Sequence, residues 1–460
     1  MRSETPNDTI TAISTTAGQA AIGIVRLSGP HSIEIASKIL KPSSQKTLIK
    51  QPTFSILHGV VFDGRGNRLD EVLVSLMRGP KSYTAEDVVE INCHGGPMSL
   101  RSVLELVLEN GARLAEPGEF TKRAYLNGRI DLTQAEAVAD IISAKTKLAL
   151  KSAQGQLEGK LSVAISRLKE RLIDIMAQLQ AAIDFSDEEI EPDAYPALLR
   201  KLDAVKAQLE ALISTKADGQ LLREGIKTAI VGGPNVGKSS LLNALLQRER
   251  AIVTEIAGTT RDMIEEIINV RGLPLVLQDT AGIREAFDGA EKKGIEISLR
   301  ALEQADLVLL VIDSTKPLGN IERKLAKKAR DKKRIIVLNK SDLKPIVGAP
   351  ELKTIGLNDF AKVSALKLTG LDKLKEKIVK LCFGHVEPEE LLVTSIRQAR
   401  ALEEGLERLN SARELLKKGE SEEIISLEIN FATESLGQVL GEISAEDVLE
   451  AVFSRFCIGK

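Results

Sequence analysis

The chain has 460 residues, with 63 basic side chains against 65 acidic ones, a net charge of -2 and a hydrophobic content of 43%. That balance excludes a disordered polyelectrolyte and a globally basic nucleic-acid binder, and the length allows roughly two or three domains with substantial cores. Cys93, Cys382 and Cys457 are too few and too scattered for a disulfide framework or a metal cluster and point to a reducing compartment. No apolar run approaches the roughly 18 residues that span a membrane, and Met1 to Asp8 has no secretory pattern, so the sequence predicts a cytoplasmic protein without a membrane segment.

In chain order, residues 1–128 carry strand-like runs at Ala21 to Arg26, Thr53 to Phe62, Glu71 to Met77 and Val88 to Asn92, among turns and helical stretches. They read as a separate α/β domain. From Leu161 through Ile165, Leu168, Leu172, Ile175 and Leu179 to Ile183, apolar residues recur at helical spacing. The acidic stretch Asp184 to Asp193 interrupts this pattern, which resumes from Leu198 to Leu212. Residues 225–383 alternate apolar strands with helices. Ser395 to Lys418 and Ser421 to Phe456 are helical again. The economical reading is a discontinuous helical domain, 129–224 and 384–460, interrupted by an inserted domain at 225–383. The basic run Arg323 to Arg334 reads as a solvated helix face.

The inserted domain carries the most specific signal. Gly232-Gly233-Pro234-Asn235-Val236-Gly237-Lys238-Ser239 matches the phosphate-binding loop G-x-x-x-x-G-K-[ST], and it follows the apolar run Ile226 to Val231. Glycines let backbone N–H groups curl around phosphate oxygens, and the helix that follows directs its positive end at the anion. Asn235, Val236, Gly237, Lys238, Ser239 and Ser240 are therefore candidate triphosphate contacts, with Lys238 reaching the outer phosphates and Ser239 holding magnesium.

Further motifs each end an apolar run, in the order used by GTP-binding proteins. Asp279-Thr280-Ala281-Gly282 can act through magnesium and sense the γ-phosphate. In Asn339-Lys340-Ser341-Asp342 the aspartate can accept from guanine N1–H and the 2-amino group, donors that adenine lacks. Ser364-Ala365-Leu366 completes the base pocket. The nucleotide is GTP, and the inserted domain is a Ras-like P-loop GTPase domain. Thr254-Glu255-Ile256-Ala257-Gly258-Thr259-Thr260 reads as a switch around the γ-phosphate, with Thr260 as the second magnesium ligand. Ile283 stands where many small GTPases place a water-positioning glutamine, so another group assists hydrolysis. The Asn235 amide is one candidate, by binding a monovalent cation, while a plain loop-forming asparagine remains the other reading.

Beyond these motifs, Gly23-Ile24-Val25-Arg26-Leu27-Ser28-Gly29, Ser82 to Glu90 leading to His94-Gly95-Gly96, Pro117-Gly118-Glu119-Phe120-Thr121 with Asn127 to Leu132, and the ending Cys457-Ile458-Gly459-Lys460 resemble the MnmE (TrmE) family of tRNA modification GTPases over the whole chain. The resemblance implies a homodimer paired through an amino-terminal domain that is folate-binding-like. It also implies a reaction on tRNA wobble uridines with the FAD-containing partner MnmG. It assigns 5-formyl-tetrahydrofolate to Arg26, Glu90, Arg129 and Lys460, although Arg129 matches a position that can be lysine in the family. It places potassium at Asn235, Thr254, Ile256 and Thr259, water orientation at Glu291 with Arg284 nearby, and a part in the modification step at Cys457, which by itself reads first as a small buried hydrophobe. Ribosome-maturation GTPases share the nucleotide motifs but lack the amino-terminal domain and the terminal cysteine motif.

Overall fold

A computed structural model describes residues 7–16, 18–184, 194–249, 266–277, 301–353, 359–383, 392–443 and 446–460. Its first sheet is built from β1 (Ile10–Ile13), β2 (Ile22–Ser28), β3 (Leu40–Pro42), β4 (Ser55–Phe62), β5 (Arg68–Met77), β6 (Val88–His94) and β7 (Arg113–Leu114). The spatial order is β3-β4-β5-β6-β2-β1-β7, antiparallel except for the β1–β7 pair. Along β5 the residues Asp70, Val72, Val74 and Leu76 are buried and their neighbours are more exposed, the alternation expected of a sheet with one covered face. Helices Ser32–Ile39 and Pro97–Glu109 cover that face, packing Ile35 and Val103 against Val25, Leu27 and Ile91. The short strands β1, β3 and β7 are additions to the sequence reading, because segments of this length carry almost no periodicity.

The helices Lys160–Asp184, Ala194–Ser214, Ile396–Lys418 and Glu422–Leu440 share one apolar core that includes Ile165, Leu172, Leu202, Leu209, Leu402, Leu409, Ile429 and Leu436. Chain segments far apart in sequence thus complete one another's buried face. The helical stretch read from Ser421 to Phe456 consists of two helices. Gly441 ends the first in a left-handed conformation (φ +79°), and a Cβ there would lie 2.7 Å from Leu132 Cβ and 2.8 Å from Tyr125 Oη. The second helix, Glu446–Phe453, brings Leu449, Phe453 and Phe456 onto Ala124, Tyr125 and Leu132.

Between these helices in sequence lies the second sheet: β8 (Ile226–Gly232), β9 (Glu266–Val270), β10 (Leu273–Leu277), β11 (Leu307–Asp313), β12 (Lys333–Asn339) and β13 (Phe360–Lys362). The order is β13-β12-β11-β8-β10-β9, parallel throughout except at β9. β11 is buried at every residue, because helices cover both faces of a parallel sheet, and this is why it reads as an unbroken apolar run. The carboxyl ends of β8, β11 and β12 lie side by side, where open α/β sheets bind ligands. No helix among the described residues is long and apolar enough to cross a membrane.

A buried polar junction ties the helices to the strand that enters this second sheet. Glu136 accepts hydrogen bonds from Arg397 Nη2 (2.9 Å), Gln398 Nε2 (2.7 Å) and Ser395 Oγ (3.0 Å), while Asp140 pairs with Arg223 (2.8 Å), shortly before β8. Burial pushes the Asp140 carboxyl up to about 6, with Arg223 offsetting part of the effect and Glu136 adding to it. The folded state therefore binds this proton more tightly than the unfolded chain, and the associated stability is lost as pH rises from about 4 through about 6. Asp140→Asn removes the titration, so thermal unfolding should show the variant gaining on wild type between about pH 4 and pH 7, by on the order of 3 kcal/mol. A difference independent of pH contradicts this account.

Candidate functional site

The phosphate-loop motif occupies the turn between β8 and the helix Lys238–Glu249. Lys238 Nζ donates to the carbonyl oxygens of Gly232 (3.1 Å) and Gly233 (2.8 Å), so its ammonium is folded back over the loop. Burial holds the Lys238 ammonium below its usual range, with Glu322 opposing. Asn235 and Gly237 both take left-handed conformations, φ +58° and +95°. At Gly237 the requirement is also steric, because a Cβ would collide with the Asn339 amide nitrogen. Ser239 and Ser240 lie in the first turn of the helix.

Asn339 closes β12 and is 2% exposed. Its Nδ2 donates to Val236 O (2.9 Å) and its Oδ1 accepts from Ala365 N (3.1 Å), which ties the phosphate loop to the Ser364–Leu366 turn. Lys340 Nζ donates to Asn235 O (3.0 Å). Asp342 is exposed, and a hydrogen bond from the Ser364 side chain holds its carboxyl below the usual range, keeping it an acceptor at neutral pH. Ser364 and Ala365 are buried, whereas Leu366 is 80% exposed. The structure thus brings together Asn235, Val236, Gly237, Lys238, Asn339, Lys340 and Ala365. Thr254 to Thr260, Asp279 to Gly282, Arg284 and Glu291 lie outside the described residues.

A second cluster forms on the first sheet. Arg26 on β2 faces Glu90 on β6 as a cross-strand pair, and its Nε and Nη2 both approach Glu90 Oε1 at 2.8 Å. Its guanidinium lies 5.9 Å from the Tyr83 ring centroid and 5.6 Å from that of Phe120. Arg129 approaches the same Tyr83 ring (5.1 Å) and donates from Nη1 to Tyr83 O (2.7 Å). The chain's last residues reach this place from the far end of the sequence: Arg26 Nη1 donates to Gly459 O (3.3 Å). Burial and the field of Arg26 hold the Lys460 ammonium below its usual range, with Glu90 opposing.

The Tyr83 loop is fixed from beneath. Arg123, 1% exposed, donates to Glu86 Oε1 (3.2 Å) and Asp8 O (2.9 Å), and Asn127 Nδ2 donates to Thr84 O (2.7 Å). Tyr83 and Phe120 are the residues that sequence reasoning passed over here. Their signal was their place inside two of the quoted passages, in a chain with only 3% aromatic residues. Cys457 is the exposed cysteine of the three, so its thiol is not the small buried hydrophobe that its residue type also allows. Cys93 and Cys382 are buried, and burial pushes their thiols up to about 12 and about 11.

Two family models match the chain: the GTP-binding protein TrmE N-terminus over residues 9–129 and the MnmE helical domain over residues 132–457. The chain is 46% identical over 458 residues to the tRNA modification GTPase MnmE of Ligilactobacillus salivarius, covering 98% of each chain. The chain belongs to the MnmE family. It is likewise 46% identical over 457 residues to the MnmE of Natranaerobius thermophilus, covering 98% of this chain and 99% of that one, and 44% identical over 457 residues to the MnmE of Clostridioides difficile, covering 99% of each. It is thus a GTPase acting in tRNA modification. Because Gly237 has no room for a side chain beside Asn339, Gly237→Ala should weaken GDP binding at least about a hundredfold, read by titration with a fluorescent GDP analogue, while helical content is retained. Unchanged affinity would mean that the loop and Asn339 move apart freely.

Proposed function

We propose that this GTPase, acting as a cytoplasmic homodimer with the FAD-containing partner MnmG, installs the (carboxymethyl)aminomethyl group at C5 of wobble uridine in tRNA, drawing its carbon from a reduced folate. In the nucleotide domain, 225–383, Lys238 and the loop amides bind the β- and γ-phosphates, and Asp342 selects guanine. Ser239 and Thr260 are the protein ligands for magnesium, which when bound neutralises charge on the phosphate oxygens. Asn235, with its left-handed backbone and exposed side chain, fits a potassium ligand set completed by Thr254, Ile256 and Thr259. Potassium supplies positive charge where an arginine finger acts in other GTPases. Glu291, with Arg284 nearby, orients the water. Closure of paired nucleotide domains accompanies hydrolysis, and opening resets the modification site, where exposed Cys457 takes part.

The observation that carries the folate reading is the convergence of Arg26, Glu90, Arg129 and the 459–460 tail on the Tyr83 loop. Both Arg26 contacts use Glu90 Oε1, so Oε2 keeps its lone pairs for the amide-like donors of a pterin. Arg129 and Lys460 supply cations for the glutamate tail of 5-formyl-tetrahydrofolate, and Tyr83 with Phe120 supplies aromatic faces for its rings. This family of contacts joins the amino-terminal domain, 1–128, to residues of the helical domain, 129–224 and 384–460. Calorimetric titration with 5-formyl-tetrahydrofolate should show binding that Arg26→Ala weakens by about 10- to 100-fold, the worth of one charge-assisted contact, with GTP turnover unchanged. Equal affinity in wild type and variant would remove the folate assignment.

A further inference from the structure

The Lys340 ammonium that contacts the phosphate loop has a second partner, which the GTPase motifs do not include. β11 ends at Asp313, whose side chain is 4% exposed. Asp313 Oδ2 accepts from Lys340 Nζ at 2.6 Å, and Oδ1 accepts from Thr315 N (3.0 Å) and Thr315 Oγ1 (2.7 Å). Asp313 stands opposite Asn339 in the β11–β12 register, and Ser314 N donates to Asn339 O (3.1 Å). The carboxylate is therefore held on both oxygens at the end of a fully buried strand. Burial alone would raise its proton affinity, but Lys340 and Thr315 outweigh it and keep it ionised.

Lys340 spans the gap from this fixed anion to Asn235 O, 3.0 Å away. Asn235 holds a left-handed φ of +58°, a conformation that few residues other than glycine adopt, so the direction of its carbonyl depends on that backbone being held. The ammonium side chain is 33% exposed, so without Asp313 water competes for it and the tether to the loop carbonyl slackens. We infer that Asp313 is a positioning residue of the nucleotide site: through Lys340 it fixes the Asn235 carbonyl, and with it the shape of the phosphate loop. The Asp313 carboxylate acts through Lys340 and Thr315, and it governs how long the nucleotide stays, not which base is chosen.

The inference rests on the reading of this loop as the GTP cradle. Wild-type protein that binds no fluorescent GDP analogue in magnesium buffer would defeat that reading itself. Stopped-flow release of the analogue from wild type, Asp313→Asn, Asp313→Glu, Lys340→Ala and the Asp313→Asn/Lys340→Ala double variant tests the inference. Asp313→Asn should speed release at least about tenfold, raise KM for GTP, leave kcat within about twofold and leave the preference for GTP over ATP unchanged. Asp313→Glu keeps the charge and should recover part of the slow release, whereas a residue that only packs the strand end would tolerate the larger side chain less than Asn. The double variant should release no faster than Lys340→Ala alone, because the effect passes through that ammonium. Additive losses, unchanged release in Asp313→Asn, a Glu variant faster than the Asn variant, or an Asn variant that does not fold would each overturn the inference.

Discussion

The nucleotide site depends on one buried amide. Asn339 ends a parallel strand whose neighbours satisfy the backbone, so its side chain is left to join loops that have no sheet of their own. Its nitrogen holds the phosphate-loop motif at Val236 and its oxygen holds the Ser364–Leu366 turn at Ala365. In a site 2% exposed, neither partner can turn to water instead, and leaving a buried donor or acceptor unpaired costs about 1–3 kcal/mol. The demand for glycine at 237 follows from the same amide, because the space a Cβ would need is already filled by it. The phosphate-loop motif and the Ser364–Leu366 turn are thus two ends of a single hydrogen-bonded assembly.

The amino-terminal cluster is put together by a different means. Sheet register alone places Arg26 opposite Glu90, on the face away from the apolar core that takes Val25 and Leu27. The aromatic walls and Arg129 come from loops and a helix start that the Arg123 network pins to the sheet. The last contributors arrive from the end of the chain, because Phe453 and Phe456 anchor the final helix on Tyr125 and deliver Gly459 to Arg26. A GTPase with the phosphate-loop motif on one sheet therefore also carries a partly buried cationic and aromatic cluster on another, and its exposed cysteine, Cys457, lies two residues before the Gly459 that joins that cluster.

What could be read in the sequence divides along the same line. The phosphate loop and the Asn339 to Asp342 motif are local: their chemistry needs particular residues a few positions apart, so spacing betrays them. The long helices from Lys160 and Ile396 were equally legible, since apolar residues repeat there over many turns. In the first sheet's cluster, Arg26, Glu90, Arg129 and Lys460 were legible only through family resemblance and Tyr83 and Phe120 not at all, because these residues meet by strand pairing and tail docking that no spacing encodes. Short strands such as β7 escaped for lack of length, and the break at Gly441 escaped because a lone glycine in a helical pattern does not by itself declare a left-handed turn.

The direct test of this account is the affinity of Asn339→Ala for a fluorescent GDP analogue, measured with circular dichroism to follow the fold. Truncation leaves both Val236 O and Ala365 N without their partner, which together costs on the order of 3 kcal/mol. The account predicts at least about a hundredfold weaker binding by a protein that keeps its helices. Affinity within about threefold of wild type would show that the two loops are positioned without Asn339 and would contradict the account.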